Sequence, residues 1–431
     1  MRKVFLIIIV VIFGTSNVFA LTLKEALIQT YKNNTELNAE RENIKVSKKD
    51  LRISKGDYLP SASITGSKSK EKTNKLTNQS GGDASITDVD PLTTSIKIEQ
   101  TLIDFGRDAE YKKKKIGINL AEAKLLKKEQ DILYKAIEAY SGLILANEKL
   151  TINQRNLSLL ERQVETDKVR LERGQITVSD LAQSESSLAG AQAQFIQAKN
   201  EIVTNKLNYE NIIGKISNLK SLEKTSESIV SMPQTLNGAI DLSKQNNPDI
   251  TIAKLELEQS EKDIEIAESD LKPTATLSLE RSYSDDLSAT YDEKEKDVLK
   301  ATVSWPFYSG GKKRATISKN QSLKTRQRLL LDNAIKTNDT IVATAWANLQ
   351  FSKSFLDSVR LQVRAAQIAN EGITAEYERG SGRTTLDVIQ SNTLLLDAKV
   401  SLSNSERNYL LAQYNLLKSV GLLNSSYLKL K

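Results

Sequence analysis

The stretch Arg173-Gly174-Gln175-Ile176-Thr177-Val178-Ser179-Asp180 has a counterpart that begins Tyr377-Glu378-Arg379-Gly380 and runs through Arg383 to Asp387. The correspondence extends along the chain, since Leu23, Ala26, Asn33, Asn34, Asp57 and Pro60 recur as Leu236, Ala239, Asn246, Asn247, Asp270 and Pro273. These matches predict two similar halves, 21–214 and 235–431, joined by a linker at 215–234. A chain built from two long repeats depends on shape and symmetry for its function more than on one catalytic pocket.

Residues 1–20 have the pattern of an export signal. Arg2 and Lys3 supply its basic start, Phe5–Phe13 is apolar, and Val18-Phe19-Ala20 resembles a small-residue cleavage site. A membrane anchor is the alternative, but the apolar run is well short of the ~20 residues that a spanning helix needs. We expect this signal peptide to be cleaved and the mature chain to be exported.

The composition excludes several kinds of site. The chain has no Cys and no His, so it has no disulfide, no thiolate or imidazole metal ligand and no Ser-His or Cys-His nucleophile. Its formal net charge of +7 is spread over 431 residues, which is typical of a mixed solvated surface rather than of a nucleic-acid-binding one. We expect no cofactor, no metal, no nucleic-acid partner and no enzymatic activity, because no pair of acid–base side chains stands out.

Two long segments, 92–232 and 307–431, lack proline and can form long helices, because proline breaks helix interiors. We expect long helices at 107–171 and 312–377, the first roughly 100 Å long at 1.5 Å per residue. In the first segment apolar residues recur every seven positions in two stripes, which indicates coiled-coil packing with neighbours on both sides. The stripes are Leu143, Leu150, Leu157, Val164, Leu171 and Ile118, Leu125, Ile132, Ala139, Ala146.

Four stretches alternate apolar and polar residues, at about 60–68, 94–102, 273–283 and 298–307. Their length and alternation are typical of transmembrane barrel strands, which turn an apolar face to lipid and a polar face to the lumen. The strands of a soluble sheet are the alternative, but the export signal and the long helices favour the membrane. The joining segments 68–91 and 284–297 are polar and are expected to be loops. An aromatic girdle would comprise Tyr58, Phe105, Tyr283, Trp305, Phe307 and Tyr308.

Each half is thus predicted as helix, strand, loop, strand, very long helix, tight turn (174–179 or 380–384) and returning helix. Four strands cannot close a barrel, since known barrels begin at about eight, and an open sheet edge cannot sit in lipid. The predicted fold is therefore mainly α with a membrane β-barrel. It has long coiled-coil helices and four transmembrane strands per chain, which three copies would complete as a twelve-stranded barrel in a homotrimer.

These patterns resemble the TolC family of outer-membrane efflux proteins over essentially the whole mature chain. The family-like segments are Leu23-Lys24-Glu25-Ala26-Leu27 with Asn33-Asn34, their counterpart at 236–248, and the stretch from Tyr377 through Tyr409 to Asn415. The resemblance implies a trimeric outer-membrane exit duct that exports drugs or polypeptides. Its long coiled-coil helices would form an α-barrel that spans the periplasm. The implied partners are a periplasmic adaptor (membrane fusion) protein, an inner-membrane ABC or RND transporter, and outer-membrane lipid.

The resemblance also implies a site at the periplasmic entrance of the duct. The turns at Gly174 and Gly380 end the long helices, where glycine accepts positive φ, and would contact the adaptor. Asp180 and Asp387 follow in the returning helices, and six such carboxylates in a trimer would form a cation-selective ring. Their alternative role is to favour the helix dipole. The family has a second acidic position that is Gln390 here, which weakens the ring.

Arg383 and Tyr377 match positions that, in the family, tie neighbouring helices together and hold the entrance shut. Arginine can bind a carboxylate through two parallel hydrogen bonds. The alternative for Arg383 is an exposed side chain at a turn that carries an extra residue, Gly380-Ser381-Gly382.

A basic cluster follows the second strand of each half. Positive charge early in a helix opposes the helix dipole, so phosphate headgroups at the membrane interface are one predicted partner. A solvated face is the alternative. The cluster residues are Arg107, Lys112, Lys113, Lys312, Lys313 and Arg314.

One function of a different class stays open on the sequence alone. A periplasmic coiled-coil scaffold or adhesin with a small soluble sheet would share the long helices but would have no channel activity.

Overall fold

The structure is a computed structural model that describes residues 22–76, 85–216, 222–225, 231–288, 291–380 and 382–430. The predicted signal peptide and parts of the predicted linker lie outside the described residues. The chain forms two compact units. The coiled-coil unit comprises the chain up to Asn38, Lys128–Asn247 and the chain from Asp339 onward, and the sheet unit comprises Ala39–Lys127 and Pro248–Asn338. No helix in the described part of the chain is both long and apolar enough to cross a membrane.

The helices follow the same order in both halves. Where one opening helix was expected in each half, the structure has two. The first half contains α1 (Leu23–Asn33), α2 (Thr35–Gly56), α3 (Arg107–Glu172) and α4 (Val178–Ile212). The second half contains α5 (Leu236–Asn246), α6 (Pro248–Ser269), α7 (Lys312–Glu378) and α8 (Thr385–Val420).

An asparagine separates the two opening helices of each half. Asn34 has an extended backbone that ends α1, and its side-chain oxygen accepts a hydrogen bond of 3.2 Å from the Leu37 N–H. Its amide nitrogen donates to the Ile212 carbonyl at 3.2 Å, and Asn247 donates to the Ser419 carbonyl at 3.0 Å. Each asparagine thus ends one helix and satisfies a carbonyl at the end of the returning helix, where carbonyls lack partners within the helix.

The coiled-coil unit is held by an apolar core. Within the two predicted stripes, Ile132, Ala139, Leu143, Ala146 and Val164 are buried. The other members of both stripes are half-buried, so α3 has neighbours along much of its length. The largest buried cluster joins residues of α1, α3, α4, α8 and the segment after α8, and includes Leu27, Tyr140, Tyr209 and Tyr414.

The sheet unit contains one antiparallel sheet of four strands in the order β1-β4-β5-β6, with β1 and β6 at its edges. A separate ladder pairs β2 with β3. The strands are β1 (Ser61–Lys68), β2 (Glu71–Leu76), β3 (Ser85–Val89), β4 (Leu92–Ile103), β5 (Thr274–Ser288) and β6 (Tyr291–Ser304).

The register brings the apolar residues of the four strands to one face. Ala62 pairs with Ile98, Ile98 with Leu279, and Leu279 with Leu299. Paired residues in an antiparallel sheet point to the same side, so these side chains form one row across the sheet. Leu299 is 71% exposed, which leaves this apolar face uncovered within one chain.

The polar segments predicted as loops contain strands. Residues 68–91 include β2 and β3, and β5 and β6 extend through most of 284–297. There the ladder continues with Tyr283 opposite Glu295, and Arg281 lies 3.4 Å from the Glu295 carboxylate. Apolar alternation marks only the part of a strand that borders an apolar environment, so it misses a hairpin with polar residues on both faces. The last strand ends at Ser304 rather than 307 because Pro306 has no N–H to donate.

Gly421, which caps α8, lies against Asn246 at the end of α5. A substitution at Gly421 therefore tests how these two helix ends pack. Its φ is +87°, and an added Cβ would lie 2.4 Å from the Asn246 carbonyl oxygen. We expect Gly421→Ala to lower the free energy of unfolding by more than about 3 kcal/mol, because backbone atoms would have to move. Gly174→Ala is the matched control, since Gly174 has φ +70° but no atom within 4 Å of an added Cβ.

The control should lose only the roughly 1–2 kcal/mol of a left-handed non-glycine residue. Guanidinium unfolding of the purified protein measures both variants. Equal losses would contradict a steric role for Gly421.

Candidate functional site

Both predicted turns end a long helix with a glycine in the left-handed region. Gly174 has φ +70° and Gly380 has φ +74°. The Gly174 N–H donates to the Leu171 carbonyl and the Gln175 N–H donates to the Arg170 carbonyl, each at 2.9 Å. This pair of bonds is the Schellman arrangement, which satisfies carbonyls at a helix end. The turn at Gly174 is therefore compact and specified by its own backbone.

Asp180 and Asp387 occupy equivalent capping boxes. Thr177 and Thr384 each precede a returning helix and accept a hydrogen bond of 3.2 Å from the backbone N–H of the aspartate. Each aspartate Oδ2 accepts the threonine N–H at 2.9 Å and the threonine hydroxyl at 2.8 or 2.9 Å. Each carboxylate thus stabilises the start of its helix and keeps its second oxygen outside the box.

The capping bonds lower the pKa of both carboxyl groups below the ordinary value of 3.8. The main cause is donation by the threonine backbone N–H, followed by the threonine hydroxyl. Hydrogen bonds to the charged form favour it. Both groups are therefore anionic throughout the physiological pH range.

Tyr377 is buried at the centre of a polar network in the coiled-coil unit. Its hydroxyl donates to Asp167 Oδ1 at 3.2 Å and lies 3.0 Å from the Thr385 hydroxyl. The phenol has one proton, so Thr385 donates to Tyr377 while Tyr377 donates to Asp167. Ser184 donates to Asp167 Oδ2 at 2.5 Å. One buried carboxylate on α3 thereby connects α3, α4, α7 and α8 within a single chain.

Two arginines complete this region. The Arg170 guanidinium lies 4.3 Å from the centroid of the Tyr377 ring, an arrangement that attracts a cation to the ring face. Arg383 Nε donates to Glu376 Oε2 at 2.6 Å, and this carboxylate raises the pKa of the Arg383 side chain. In one chain, therefore, Arg383 ties the second turn to the end of α7.

The two turns line a common open cavity of about 480 Å³. The cavity brings together Asp180, Tyr377, Gly380 and Arg383. Asp387 does not line the cavity but lies close enough to Arg383 for the guanidinium to help lower its pKa. Gly174 lies in the first turn beside the cavity-lining Gln175. Gln390 is exposed on α8.

Asp167 was not among the predicted site residues, although its position gives a signal. Leu157, Leu160, Val164, Asp167 and Leu171 follow the three-and-four spacing of a coiled-coil seam. Asp167 is fully buried and is the acidic member of that seam. An acid at a seam position requires hydrogen-bond donors from facing helices, and Ser184 and Tyr377 supply them.

The residues of the predicted basic cluster all belong to the sheet unit, and their surroundings differ between the two halves. In the first half, Arg107 donates to the carbonyls of Asp57 and Thr101 at 2.8 and 3.1 Å, so it braces the junction of α2 and β4. In the second half, Lys312 and Arg314 are exposed and Lys313 is half-buried. Lys112 and Lys113 pair with carboxylates of Asp108 and Asp263.

The described residues contain no group of three or more acidic side chains arranged to hold a metal ion.

The sequence profile of the outer membrane efflux protein family matches the chain twice, over residues 26–215 and 239–422. The chain belongs to this family. The double match follows the two halves that the helix order displays.

Two curated proteins and one solved structure illustrate the likeness. The outer membrane efflux protein BepC of Brucella suis is 26% identical, over 95% of this chain and 87% of BepC. The alkaline protease secretion protein AprF of Pseudomonas aeruginosa is 22% identical, over 80% of this chain and 72% of AprF. The Campylobacter jejuni CmeC outer membrane channel superposes with a TM-score of 0.78 at 14% identity, over 93% of this chain and 85% of CmeC.

Family membership identifies the protein as a TolC-family outer-membrane efflux channel with a periplasmic portion. Because the family consists of channels without enzymatic activity, the protein is not expected to be an enzyme. It also disfavours the scaffold or adhesin alternative. The predicted fold is confirmed as mostly helical and similar to the solved channels.

The Tyr377 hydroxyl gives a direct test of the polar network. We expect Tyr377→Phe to lower the free energy of unfolding by about 1–2 kcal/mol, because a buried carboxylate loses one donor. The ring and its contact with Arg170 remain. Hydrogen exchange of the backbone amides at the ends of α7 and α8 should accelerate, and the exposed Tyr308→Phe should leave it unchanged. Exchange that does not respond to Tyr377→Phe would contradict the network.

The capping boxes predict a pH dependence in the acid range. Because the folded-state pKa values are lowered, the stabilisation is complete above the unfolded value of about 3.8 and is lost as the pH falls through the folded values. The starts of α4 and α8 should therefore fray only below about pH 4. Hydrogen exchange measured from pH 5 downward checks this, with Asp180→Asn and Asp387→Asn as controls that lack the titrating group. Fraying already near neutral pH would contradict the account.

Proposed function

We propose that three copies of the chain assemble into one channel, with a twelve-stranded barrel in the outer membrane and a coiled-coil duct that crosses the periplasm. The observation that carries the proposal is the uncovered sheet. Among the described residues its edges, β1 and β6, have no partner strand, and one face carries exposed apolar residues on all four strands. Backbone groups in lipid require partners, and strands of neighbouring copies would supply them.

Exposed apolar surfaces on the helices also support assembly. Large apolar side chains of α4 and α7 are exposed within one chain, among them Ile196, Leu207, Phe351, Leu361 and Ile368. Ile196 and Val203, which is also exposed, follow the seven-residue spacing of a coiled-coil seam. Neighbouring copies would bury these surfaces.

The two tip turns, Gly174–Asp180 and Gly380–Asp387, would form the periplasmic entrance. In a trimer Asp180 and Asp387 would contribute six carboxylates that favour cations. Their capping role and a role in selectivity are compatible, because the boxes occupy only Oδ2 of each group. The network of Asp167 and Tyr377 and the pair of Arg383 and Glu376 would hold the helices in the closed packing. Opening would exchange one coiled-coil packing for another.

The family and the names of the relatives support the partners that we propose. A periplasmic adaptor protein would dock on the turns at Gly174 and Gly380, and an inner-membrane ABC or RND transporter would deliver cargo. AprF is named for alkaline protease secretion and BepC for efflux, so polypeptides and drugs are the two cargo classes that we propose.

Conductance across a planar lipid bilayer tests the channel and its entrance. We expect the wild-type oligomer to show small, cation-selective steps. Asp180→Asn combined with Asp387→Asn should lower the ratio of cation to anion permeability several-fold, because the entrance loses its negative charge. Glu161→Gln combined with Glu371→Gln is the matched control, since these are exposed acids of α3 and α7 outside the turns. A folded oligomer that never conducts would contradict the proposed channel.

A double-mutant cycle tests the gate. Arg383→Ser and Glu376→Gln should each raise the resting conductance, because each breaks the same pair. The double variant should then exceed neither single variant by much, since the interaction can be lost only once. Conductance at the wild-type level in both single variants would contradict a gating role for this pair.

A further inference from the structure

The segment that follows β6 exposes three aromatic side chains. Trp305 is 65% exposed, Phe307 86% and Tyr308 79%. The Trp305 indole N–H donates to the Leu271 carbonyl at 3.0 Å, so its polar group is satisfied while its ring remains uncovered. Trp and Tyr rings are enriched at the interface between hydrocarbon and water, where an apolar body and a polar tip both find partners. The segment has the composition of such an interface.

The residues on both sides of the aromatics give this segment a direction. Leu299 and Val303 of β6, which precede it, are more than two-thirds exposed and belong to the apolar face of the sheet. Lys312 and Arg314 follow it and are exposed. Along the chain the order is therefore apolar, aromatic and cationic, which matches hydrocarbon, interface and phosphate headgroups in a bilayer.

The two outward cations have no carboxylate partner among the described residues. The first turn of α7 contains no acidic residue. Lys313 differs, because its ammonium donates to the Asp270 backbone carbonyl. Lys312 and Arg314 therefore carry the positive charge that this surface presents to an external anion.

The equivalent region of the first half is built differently. Most of its cations are neutralised or used within the chain. Of the run 112–115, only Lys115 is exposed without an ion pair among the described residues, so this half presents less positive charge to a partner. Arg107 braces backbone carbonyls, and three lysines lie 2.5 to 3.3 Å from carboxylate oxygens. These ion pairs are Lys112–Asp108, Lys113–Asp263 and Lys114–Glu110.

We propose that the junction patch, residues 305–314, binds anionic phospholipid headgroups at the outer-membrane surface through Lys312 and Arg314, and that the first-half cluster does not. The proposal rests on the proposed insertion of the sheet into the membrane. It goes further by stating the charge of the lipid that is bound and by assigning the binding to the second half of the chain. Charge complementarity supports lipid phosphate as the occupant, since the patch joins exposed rings to uncompensated cations. The rings enter the interface and the cations contact phosphate.

Native mass spectrometry of the detergent-purified oligomer, incubated with equal phosphatidylglycerol and phosphatidylcholine at fixed ionic strength, tests the proposal. The wild type should retain phosphatidylglycerol preferentially. Lys312→Gln with Arg314→Gln should reduce that preference by roughly five-fold for each charge removed. Lys112→Gln with Lys113→Gln removes the same charge from the first half and should keep the wild-type preference. Excess inorganic phosphate should not displace the lipid.

Four results would overturn the proposal. One is a wild-type oligomer that enters vesicles but retains both lipids equally, which would leave the channel itself intact. Another is an equal loss of preference in the first-half control, which would indicate a response to net charge alone. The third is impaired oligomer assembly of the Lys312→Gln and Arg314→Gln variant in lipid-free detergent, which would assign the patch to a second copy of the chain. A wild type that does not enter vesicles would overturn the proposed barrel as well.

Discussion

The unpaired edges of the four-stranded sheet are the constraint on which the rest of the account depends. Within the described part of the chain the ladder runs from β1 through β4 and β5 to β6 and stops at both ends, while one face of the sheet carries exposed apolar residues. In water such edges recruit other strands, and in lipid they cannot persist unpaired. The sheet of a single chain is therefore incomplete without further strands at its edges. Closing the sheet with neighbouring copies would satisfy the backbone groups of both edges.

The doubled sequence fits this requirement. Asn34 and Asn247 hold the ends of the two returning helices in the same way, and Thr177 with Asp180 repeats as Thr384 with Asp387. Because of the repeat, each chain has two similar helical hairpins. Three chains would then contribute six similar hairpins to the proposed coiled-coil duct. The halves also differ in two places. Only the second turn carries the paired Arg383 and the buried Tyr377, and the strand-to-helix junctions differ in charge.

The sequence predicted the parts of the fold that have an apolar period or a helix-breaking residue. The seven-residue apolar stripes predicted the helix that α3 forms. The absence of proline from 307–431 was the basis for predicting α7. The polar hairpin of β5 and β6 was missed because strand pairing beyond the apolar face leaves no hydrophobic alternation to read. The split of each opening helix was missed because Asn34 and Asn247 act through side-chain bonds to residues far along the chain.

The candidate site was predictable only in part, for related reasons. Asp180, Asp387, Tyr377 and Arg383 stood out through the repeat and the family resemblance. Their partners did not, because the bond from Tyr377 to Asp167 joins residues of two different helical hairpins. Asp167 interrupts an apolar seam, so an acid at a seam position is the one sequence signal that leads to it. The choice of Glu376 as the partner of Arg383 depends on the path of the turn.

Disulfide cross-linking between the sheet edges tests the closure of the sheet most directly, and the absence of native cysteine means that only introduced pairs can react. Ser63→Cys on β1 would be combined in turn with Val298→Cys, Lys300→Cys and Thr302→Cys on β6. Ser63→Cys with Lys97→Cys is the positive control, because these residues are paired within one chain. The account predicts that at least one edge combination yields covalent trimers as the largest species on a denaturing gel. Monomers in every edge combination, or ladders that extend beyond three copies, would contradict it.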